Sequence, residues 1–376
     1  MHMKWLFWIC AFGAVYSYAI YPLLLRLLVP VRKQHGAVAE YAPAVTLVIA
    51  CRNEERRLPH KIENALQVAY PLSEILVASD CSDDRSDEIT LSYADRGVRL
   101  VRSERRMGKE HAQGLAIASA RGDIIVFSDA GTDLPKESIG FIVERFRDPA
   151  VGAVSSEDLF VTADGKVAGE GAYVKYEMWL RRLESDRAGV VGLSGSFFAV
   201  RRSVLTSWDA TIPSDFACAL KSVQAGLVAV SDSRVRGIYK DIKDSKKEYQ
   251  RKVRTAVRGM TGLARLAGVL SPFRYGTFAF QIWSHKVMRW MVPWFLLGLL
   301  AASFALAPVH GFYRFALFAQ LLGYGLVIAA HFFAAVRGLG LTRIAYYFVQ
   351  ANVALAHAAL LFVAGRRIVV WEPSVR

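Results

Sequence analysis

Three apolar, strand-like runs near the start of the chain each end on acidic or amide side chains. VTLVIAC leads into Asn53 and Glu54, EILVAS leads into Asp80, and DIIVF leads into Ser128 and Asp129. Ligands of an open α/β sheet lie outside the carboxyl ends of its parallel strands, so these side chains mark one candidate site. Carboxylates gathered there favour a hard cation, Mg²⁺ or Mn²⁺, and a phosphorylated substrate.

Strand and helix patterns alternate through the middle of the chain. The pattern predicts strands at 45–51, 74–79, 98–102, 123–128 and 151–156, and helices at 54–68, 85–96, 109–120 and 135–147. This βαβ rhythm predicts an α/β domain with a mostly parallel sheet and flanking helices. An amphipathic stretch from Glu170 to Ser185, a Gly/Ser-rich segment at 192–205 and an acidic helix start at Ser214 follow it.

Long apolar segments lie at both ends of the chain. Hydrophobic residues make up 53% of the sequence, which is high for an ordinary soluble enzyme. The apolar runs cover 5–29, 291–308, 312–336 and 343–364. Each is near the roughly 17–25 residues that cross a bilayer as a helix. The first is too long for a secretory signal. About four transmembrane helices are therefore predicted, one N-terminal anchor and three C-terminal.

The composition divides the chain into four predicted parts. They are an N-terminal anchor at 1–30, a globular domain at 43–245, basic interfacial helices at 246–290, and C-terminal membrane helices with a tail at 291–376. More basic residues follow the first apolar run than precede it, so the positive-inside rule predicts a cytoplasmic globular domain. Four crossings then leave the basic tail, including Arg376, outside; either the last segment does not fully cross or the charge bias is weak there.

Basic residues are concentrated just before the C-terminal membrane block. The formal net charge is +14, and Lys and Arg side chains crowd residues 243–289. Juxtamembrane clusters of this kind are attracted to anionic lipid head groups by ~1 kcal/mol per charge. Membrane lipids are therefore the predicted partner of this region, and no sequence signature of a nucleic-acid-binding fold accompanies it, so no nucleic-acid partner is predicted.

Two strand-end aspartates are candidate ligand-binding residues, although each could instead have a structural role in a helix cap or a turn. Asp80 opens the acid-rich turn DCSDDRSD, whose later residues can cap the next helix; Asp80 itself precedes the cap and can face a nucleoside. Asp129 lies in FSDAGTD, where a turn role is the alternative. With other acids at neighbouring strand ends, Asp129 is predicted to hold Mg²⁺ or Mn²⁺ together with a diphosphate.

Two further charged residues lie at predicted helix starts. Lys109 follows Gly108 in RRMGKEHAQG, an arrangement that favours phosphate oxygens, although GK pairs are common. Asp215 in IPSDF could be a helix N-cap, but transfer onto a hydroxyl requires a general base near the nucleophile. The other acids that could serve as the base are Glu157, Asp158, Glu177 and Glu184.

Taken together, the motifs resemble a membrane-bound family-2 glycosyltransferase with the GT-A fold, the group that includes processive polysaccharide synthases. The resemblance covers roughly 43–290 and rests on VIACRNEE, VASDCSDDRSD, RRMGKEHAQG, FSDAGTD, GLSGSFFAVRRSVL, SDF, YQRKVRTAVRG and SHKVMRW. It implies an inverting hexosyltransferase of surface polysaccharide assembly in a bacterial inner membrane. The implied donor is a nucleotide-diphosphate sugar, with a UDP-sugar expected, and the implied acceptor is lipid-linked or a polysaccharide.

On the donor side, the resemblance assigns five positions. Asn53 and Glu54 match the start of the nucleotide pocket, and Asp80 matches the acid that contacts uridine. Lys109 matches the GK near the diphosphate, and Asp129 matches the metal-binding aspartate.

On the acceptor side, Gly195 and Ser196 match the wall of the site and Asp215 matches the base. The residues expected to close the site from the membrane side are Arg251, Arg254, Arg289 and Trp290.

Three departures from the family pattern bear on function. Gly131 replaces the usual second acid or amide of the metal motif, so metal binding rests on Asp129 alone or recruits Asp133. Ser214 stands where another acid commonly precedes the base. The QxxRW signature is not intact, because its Trp occurs only later, at Trp290; processive polymerisation is thereby in doubt, but single transfer is not.

Two other classes of function stay open on sequence grounds. A catalytically silent nucleotide-sugar-binding membrane sensor would keep the strand-end acids and need no base, and Gly131 favours it. A transporter would need ionisable residues inside its spans. Those spans hold little beyond Arg26, Arg314, His331 and His357.

Overall fold

The computed structural model describes residues 2–33, 36, 40–161, 172–240 and 245–367. Glu170, the first residue of the predicted amphipathic stretch, and the tail residue Arg376 lie outside these described residues. The described residues divide into two compact units. The sheet unit comprises those within 28–240 and 261–281, and the helical unit comprises those within 2–27, 245–260 and 282–367.

A seven-stranded sheet forms the centre of the sheet unit. Its strands are β1 Val45–Cys51, β2 Glu74–Ser79, β3 Val98–Arg102, β4 Ile124–Asp129, β5 Val151–Val161, β6 Phe197–Arg201 and β7 Val228–Lys240. They lie in the order β3-β2-β1-β4-β6-β5-β7. All neighbours pair in parallel except β6, which is antiparallel to both β4 and β5. The predicted mostly parallel sheet is confirmed.

The helices flank this sheet or form the helical unit. In chain order they are α1 His2–Val15, α2 Tyr21–Leu28, α3 Leu58–Leu66, α4 Ser86–Leu91, α5 Lys109–Ser119, α6 Ser138–Arg145, α7 Ala172–Ser185, α8 Ser214–Gln224, α9 Ser245–Arg265, α10 Pro272–Ile282, α11 Met288–Leu306, α12 Gly311–Phe332, α13 Ala334–Gly338 and α14 Gly340–Val363.

Two buried cores lie on opposite faces of the sheet. Alternate side chains of a strand point to opposite faces, and β1 accordingly contributes Leu47 to one core and Val48 to the other. Helices α3 and α6 pack in the first core, and helices α5 and α8 pack in the second. Burial on both faces explains why the first strands are continuous apolar runs.

Strands β6 and β7 lie in segments where the sequence predicts no strand. The run from Phe197 to Val200 is buried throughout because β6 lies inside the sheet. A short, continuously apolar run cannot be separated from a buried helical turn by periodicity alone. Tertiary pairing, not local pattern, therefore determines β6.

Within the described residues, four helical segments are long and apolar enough to cross a membrane, as predicted. They are His2–Leu28, Pro272–Leu306, Gly311–Phe332 and Gly340–Val363, one N-terminal and three C-terminal. The second begins at Pro272 and not at 291, because a π-helical segment, Trp283–Val287, joins α10 to α11 without a break. Within the helical unit α1 packs closely on α11, where a Cβ on Gly13 would lie 2.6 Å from the Phe295 ring.

Candidate active site

The register of the sheet brings the strand-end residues to one edge. Ala50 of β1 is paired with Asp129 of β4, and Cys51 of β1 is paired with Ser79 of β2. Asp80 therefore lies one residue beyond the level at which β1 ends and two residues beyond the level of Asp129. The sequence expectation that these acids share an edge of the sheet agrees with this register.

Lys109 bonds to Asp129, the aspartate of the predicted metal motif, and to Gly195, part of the predicted acceptor-side wall. Its Nζ donates to Asp129 Oδ1 at 2.5 Å and to the carbonyl oxygen of Gly195 at 2.9 Å, and 10% of its side chain is exposed. Burial alone would lower the pKa of Lys109, but the charges of Asp129, Glu110 and Asp215 and the bond to Asp129 outweigh it and raise that pKa. The ammonium therefore stays protonated at neutral pH.

Asp215 lies directly against the Gly195 backbone. A Cβ placed on Gly195 would be 3.1 Å from Asp215 Oδ2, so the absence of a side chain there gives the carboxylate its space. Helix α8 begins at Ser214, and its N-cap is Pro213 without a side-chain cap bond. Asp215 is thus not the N-cap, the alternative that the sequence left open. A carboxylate in the first helical turn is also favoured by the helix dipole.

The wall around Gly195 is tied to two strands. The main-chain N–H of Asp129 donates to the Ser196 carbonyl at 2.9 Å. The Ser196 hydroxyl donates to Asp158 Oδ1 at 2.8 Å, and the Ser194 hydroxyl donates to the same oxygen. Asp158, which the sequence suggested only as an alternative base, therefore holds both serines that flank Gly195.

The Asp80 carboxylate shapes the loop that presents Lys109. Its Oδ1 accepts from the N–H groups of Met107 at 2.8 Å and Gly108 at 3.0 Å, and its Oδ2 also lies 3.0 Å from the Gly108 N–H. Gly108 has φ of 100°, a conformation that L side chains rarely adopt. Asp80 is only 3% exposed. Its contact with a nucleoside stays a prediction.

Asn53 and Glu54 connect the turns after β1 and β2. Asn53 adopts φ of 53°, and its Oδ1 accepts from the Asp83 N–H at 2.9 Å. Glu54 is 8% exposed and pairs with Arg57 at 3.1 Å. Asn53 is exposed at the surface, whereas Glu54 is engaged within the protein. Their ligand contacts stay predictions.

A divalent cation fits this site only in company with a diphosphate. Among the residues that the structure describes, no group of three His, Cys, Asp or Glu side chains could hold a metal ion. Asp133, the possible second ligand, has Oδ1 3.0 Å from His60 Nε2. Hard cations are commonly held by one or two carboxylates plus substrate phosphates, so Asp129 alone is compatible with such an ion, and metal binding by Asp129 stays a prediction.

The four residues predicted to close the site all lie in the helical unit. Arg251 and Arg254 are on α9, and Trp290 packs against the same helix, 3.3 Å from where a Cβ on Gly259 would lie. Arg289 is 8% exposed. Trp290, which lies later in the sequence than the QxxRW pattern requires, therefore packs against α9, the helix that carries the two arginines. Closure of the site by these residues stays a prediction.

Trp208 is a positioning residue that the sequence gave no reason to select. Its ring stacks on Phe127 of β4 at 6.0 Å between centroids, and its Nε1 donates to the Glu110 carbonyl at 2.7 Å. A Cβ on Gly114 would lie 2.7 Å from the Trp208 ring. The indole therefore holds the start of α5, from which Lys109 projects.

Comparison with known proteins agrees with this fold. Residues 46–208 match the family model "Glycosyl transferase family 2". A solved mannosyltransferase from Pyrobaculum calidifontis, in complex with GDP-Man and Mn²⁺, has a TM-score of 0.74 at 21% identity and covers 97% of this chain and 100% of its own. This likeness confirms the predicted GT-A fold.

The match to curated relatives covers only part of this chain and only part of each relative. A poly-β-1,6-N-acetyl-D-glucosamine synthase of Staphylococcus epidermidis is 24% identical over 212 residues, 54% of this chain and 50% of the relative. The synthase of Staphylococcus aureus strain COL is 23% identical over the same length. This chain spans about half the length of the curated relatives it matches. Residues 46–208, which supply Lys109, Asp129 and the Gly195 wall, match a glycosyltransferase family 2 domain, and the described residues of the same chain include four helical segments long and apolar enough to cross a membrane.

Proposed function

We propose that this protein is an inverting hexosyltransferase that moves a sugar from a nucleotide-diphosphate sugar to a lipid-linked or polysaccharide acceptor. One observation carries the proposal: Lys109 bonds both Asp129 and the Gly195 carbonyl, and Asp215 lies against Gly195. The acid proposed to bind the cation, the ammonium proposed to bind phosphate and the proposed base therefore all lie around one segment of main chain. A silent sensor would have no use for the base.

In the proposed reaction, Asp215 accepts the proton of the acceptor hydroxyl as that oxygen attacks C1 of the sugar. Attack opposite the leaving diphosphate inverts the configuration at C1. Asp129 would hold Mg²⁺ or Mn²⁺ together with the diphosphate, and an ion bound there supplies charge stabilisation to the leaving group. Lys109, kept protonated by the surrounding carboxylates, adds a second positive charge on the phosphate side.

The donor is proposed to be a UDP-sugar and the product a surface polysaccharide or its precursor. The relatives' name, poly-β-1,6-N-acetyl-D-glucosamine synthase, supports an activity directed at polysaccharide. The solved mannosyltransferase binds GDP-Man, so a guanine nucleotide is the alternative donor that the experiment must include.

The protein is proposed to lie in a bacterial inner membrane with its catalytic domain in the cytoplasm. Four candidate membrane helices and the basic helix α9 support this location. Donor nucleotide sugars and anionic lipid head groups would then be on the same side of the bilayer.

The test uses the full-length chain purified in detergent with Mn²⁺ or Mg²⁺. UDP-N-acetylglucosamine, UDP-glucose and GDP-mannose are supplied singly with membrane lipid extract, and nucleoside diphosphate release and product length are measured. Release with one donor, together with transfer of its labelled sugar, supports the proposal. Binding of a donor without any release favours the silent sensor.

A further inference from the structure

Lys61 is a fully buried lysine beside the loop that carries the metal-motif aspartate. It projects from α3 on the same face as Leu58, Ile62 and Ala65, and none of its surface is exposed. Lysine is almost never fully buried unless paired, because taking its ammonium out of water costs several kcal/mol. The proposed reaction gives Lys61 no role, so its burial requires a separate explanation.

The partner of Lys61 belongs to the segment 129–134, here called the cation loop. Lys61 Nζ donates to the carbonyl oxygen of Thr132, and the Thr132 N–H in turn donates to the Asp129 carbonyl at 3.1 Å. Two hydrogen bonds therefore connect the buried ammonium to the main chain of Asp129. Thr132 is itself fully buried, which leaves this turn little room to move.

Other side chains of α3 hold the rest of the cation loop. His60 Nε2 lies 3.0 Å from Asp133 Oδ1. Asn64 Nδ2 donates to the Leu134 carbonyl at 2.9 Å, and the Leu134 N–H donates to Asn64 Oδ1 at 2.8 Å. With the bond from Lys61, three successive loop residues are each held by one helix.

The far side of the cation loop is fixed by the sheet. The main chain of Asp133 exchanges two hydrogen bonds with Ile238 of β7, at 2.8 and 3.0 Å. The N–H of Asp129 donates to Ser196. Lys61 supplies the anchor between these two ends, at the turn that sets the direction of the Asp129 carboxylate.

Electrostatic interactions also connect Lys61 with the cation loop. Burial lowers the pKa of Lys61 to about 7, and the carboxylates of Asp133 and Asp129 act against that shift. Lys61 is therefore within electrostatic reach of the carboxylate that would hold the cation.

We propose that Lys61 is a positioning residue for divalent-cation binding: by holding the Thr132 carbonyl, it keeps the Asp129 carboxylate aimed at the donor diphosphate and its ion. This inference rests on the proposed function of Asp129. Because Gly131 supplies no second carboxylate, the geometry of the cation site depends on how firmly the loop is anchored. If Lys61 contributed only to the packing of the hydrophobic core, its replacement would leave ion binding unchanged.

The test measures Mn²⁺ binding to the full-length protein in detergent with saturating UDP. Electron paramagnetic resonance detects the bound and free Mn²⁺. Lys61→Met keeps the length of the side chain and removes its charge and donor. Replacing a buried charge by an apolar group of similar size is often neutral or stabilising, so thermal unfolding should not move down. Loss of an outer anchor of a metal ligand typically weakens metal affinity about 10- to 100-fold, and that loss is expected here.

Kinetics separate positioning from a structural role. We expect Lys61→Met to raise the Mn²⁺ concentration for half-maximal activity while activity at saturating Mn²⁺ is largely retained. Glu63→Gln is the matched control, since Glu63 lies on the same helix and pairs at the surface with Arg96 at 2.5 Å, away from the cation loop. This control should bind Mn²⁺ as the wild type does.

Three outcomes decide the proposal. Wild-type Mn²⁺ affinity in Lys61→Met, with weakened affinity in Asp129→Asn, overturns the role of Lys61 and leaves the proposed function standing. Wild-type affinity in Asp129→Asn overturns both. If Lys61→Met does not fold, Asn64→Ala decides: it removes both bonds to Leu134, and unchanged Mn²⁺ affinity contradicts the anchoring role of α3.

Discussion

The Lys109 ammonium lies 2.5 Å from Asp129 Oδ1 and so pairs with the carboxylate that is proposed to hold a divalent cation. Lys109 also reaches the carbonyl of Gly195, the residue against which Asp215 packs. This one side chain therefore links the proposed donor half of the site to the proposed acceptor half. Its positive charge offsets the repulsion among the nearby carboxylates of Asp129, Glu110 and Asp215.

Replacing Lys109 with Met should weaken donor binding. The variant loses a charged hydrogen-bond donor of the kind worth about 1.5–3 kcal/mol, so nucleoside diphosphate binding should weaken roughly 10- to 100-fold. Isothermal titration with UDP measures this change. Lys136→Met, which changes a surface lysine of the same domain, is the control. UDP affinity equal to that of the wild type would exclude Lys109 from the phosphate site.

Replacing Asp215 with Asn should abolish turnover while donor binding is retained. General-base catalysis typically contributes about 10²- to 10⁴-fold, and a loss of that size in kcat is expected. Nucleoside diphosphate release and UDP titration measure the two properties separately. Asp209→Asn, at an acid that bonds Thr211 in a surface turn, should keep full activity. Normal turnover in Asp215→Asn would remove this residue from the role of base.

Replacing Gly195 with Ala should displace the proposed base. The new Cβ would lie 3.1 Å from Asp215 Oδ2, a tight contact that the carboxylate can relieve only by moving. Misplacement of a catalytic group by about 1 Å can cost about 100-fold, so kcat should fall by 10- to 100-fold with a nearly unchanged KM for donor. Gly140→Ala, at a position on α6 with open space around it, is the control. Unaltered kcat in Gly195→Ala would show that Asp215 does not need its present position.

Lys61 should give the protein a stability that rises with pH above neutrality. Burial lowers the pKa of Lys61 from 10.5 to about 7 in the folded protein. Between these values the unfolded chain binds more protons than the folded one, so stability increases as pH rises. Thermal unfolding at pH 7, 8 and 9 should show a rise in the wild type that is smaller in Lys61→Met. Equal slopes in the two proteins would contradict a buried, titrating lysine.

Local pattern was sufficient for much of the fold. Strand β1 and helix α5 follow directly from a continuous apolar run and from a Gly-Lys helix start, because both signals act within a few residues. Strand β6 was not predictable, since FFAVR becomes a strand only by pairing between β4 and β5. The four candidate membrane helices of the described residues were evident from length and apolar character alone.

The residues of the candidate site also divide into those that local sequence patterns predicted and those that they did not. Asp129 and Lys109 carried recognisable signals because each lies at the end of a strand or the start of a helix. Asp158, Trp208 and Lys61 act through residues distant in sequence, and such contacts leave no local pattern. A lysine on the apolar face of α3, between Leu58 and Ile62, was the one available hint.

The central claim is that Asp129 and Asp215 serve one donor and one acceptor in a single cleft. The most direct measurement is a cryo-electron microscopy structure of the full-length protein with UDP and Mn²⁺. The account predicts an ion held between the Asp129 carboxylate and the diphosphate, with Lys109 on a phosphate oxygen and Asp215 facing the same space across Gly195. Nucleotide bound away from Asp129, or Asp215 turned to the opposite side of the sheet from it, would contradict the account.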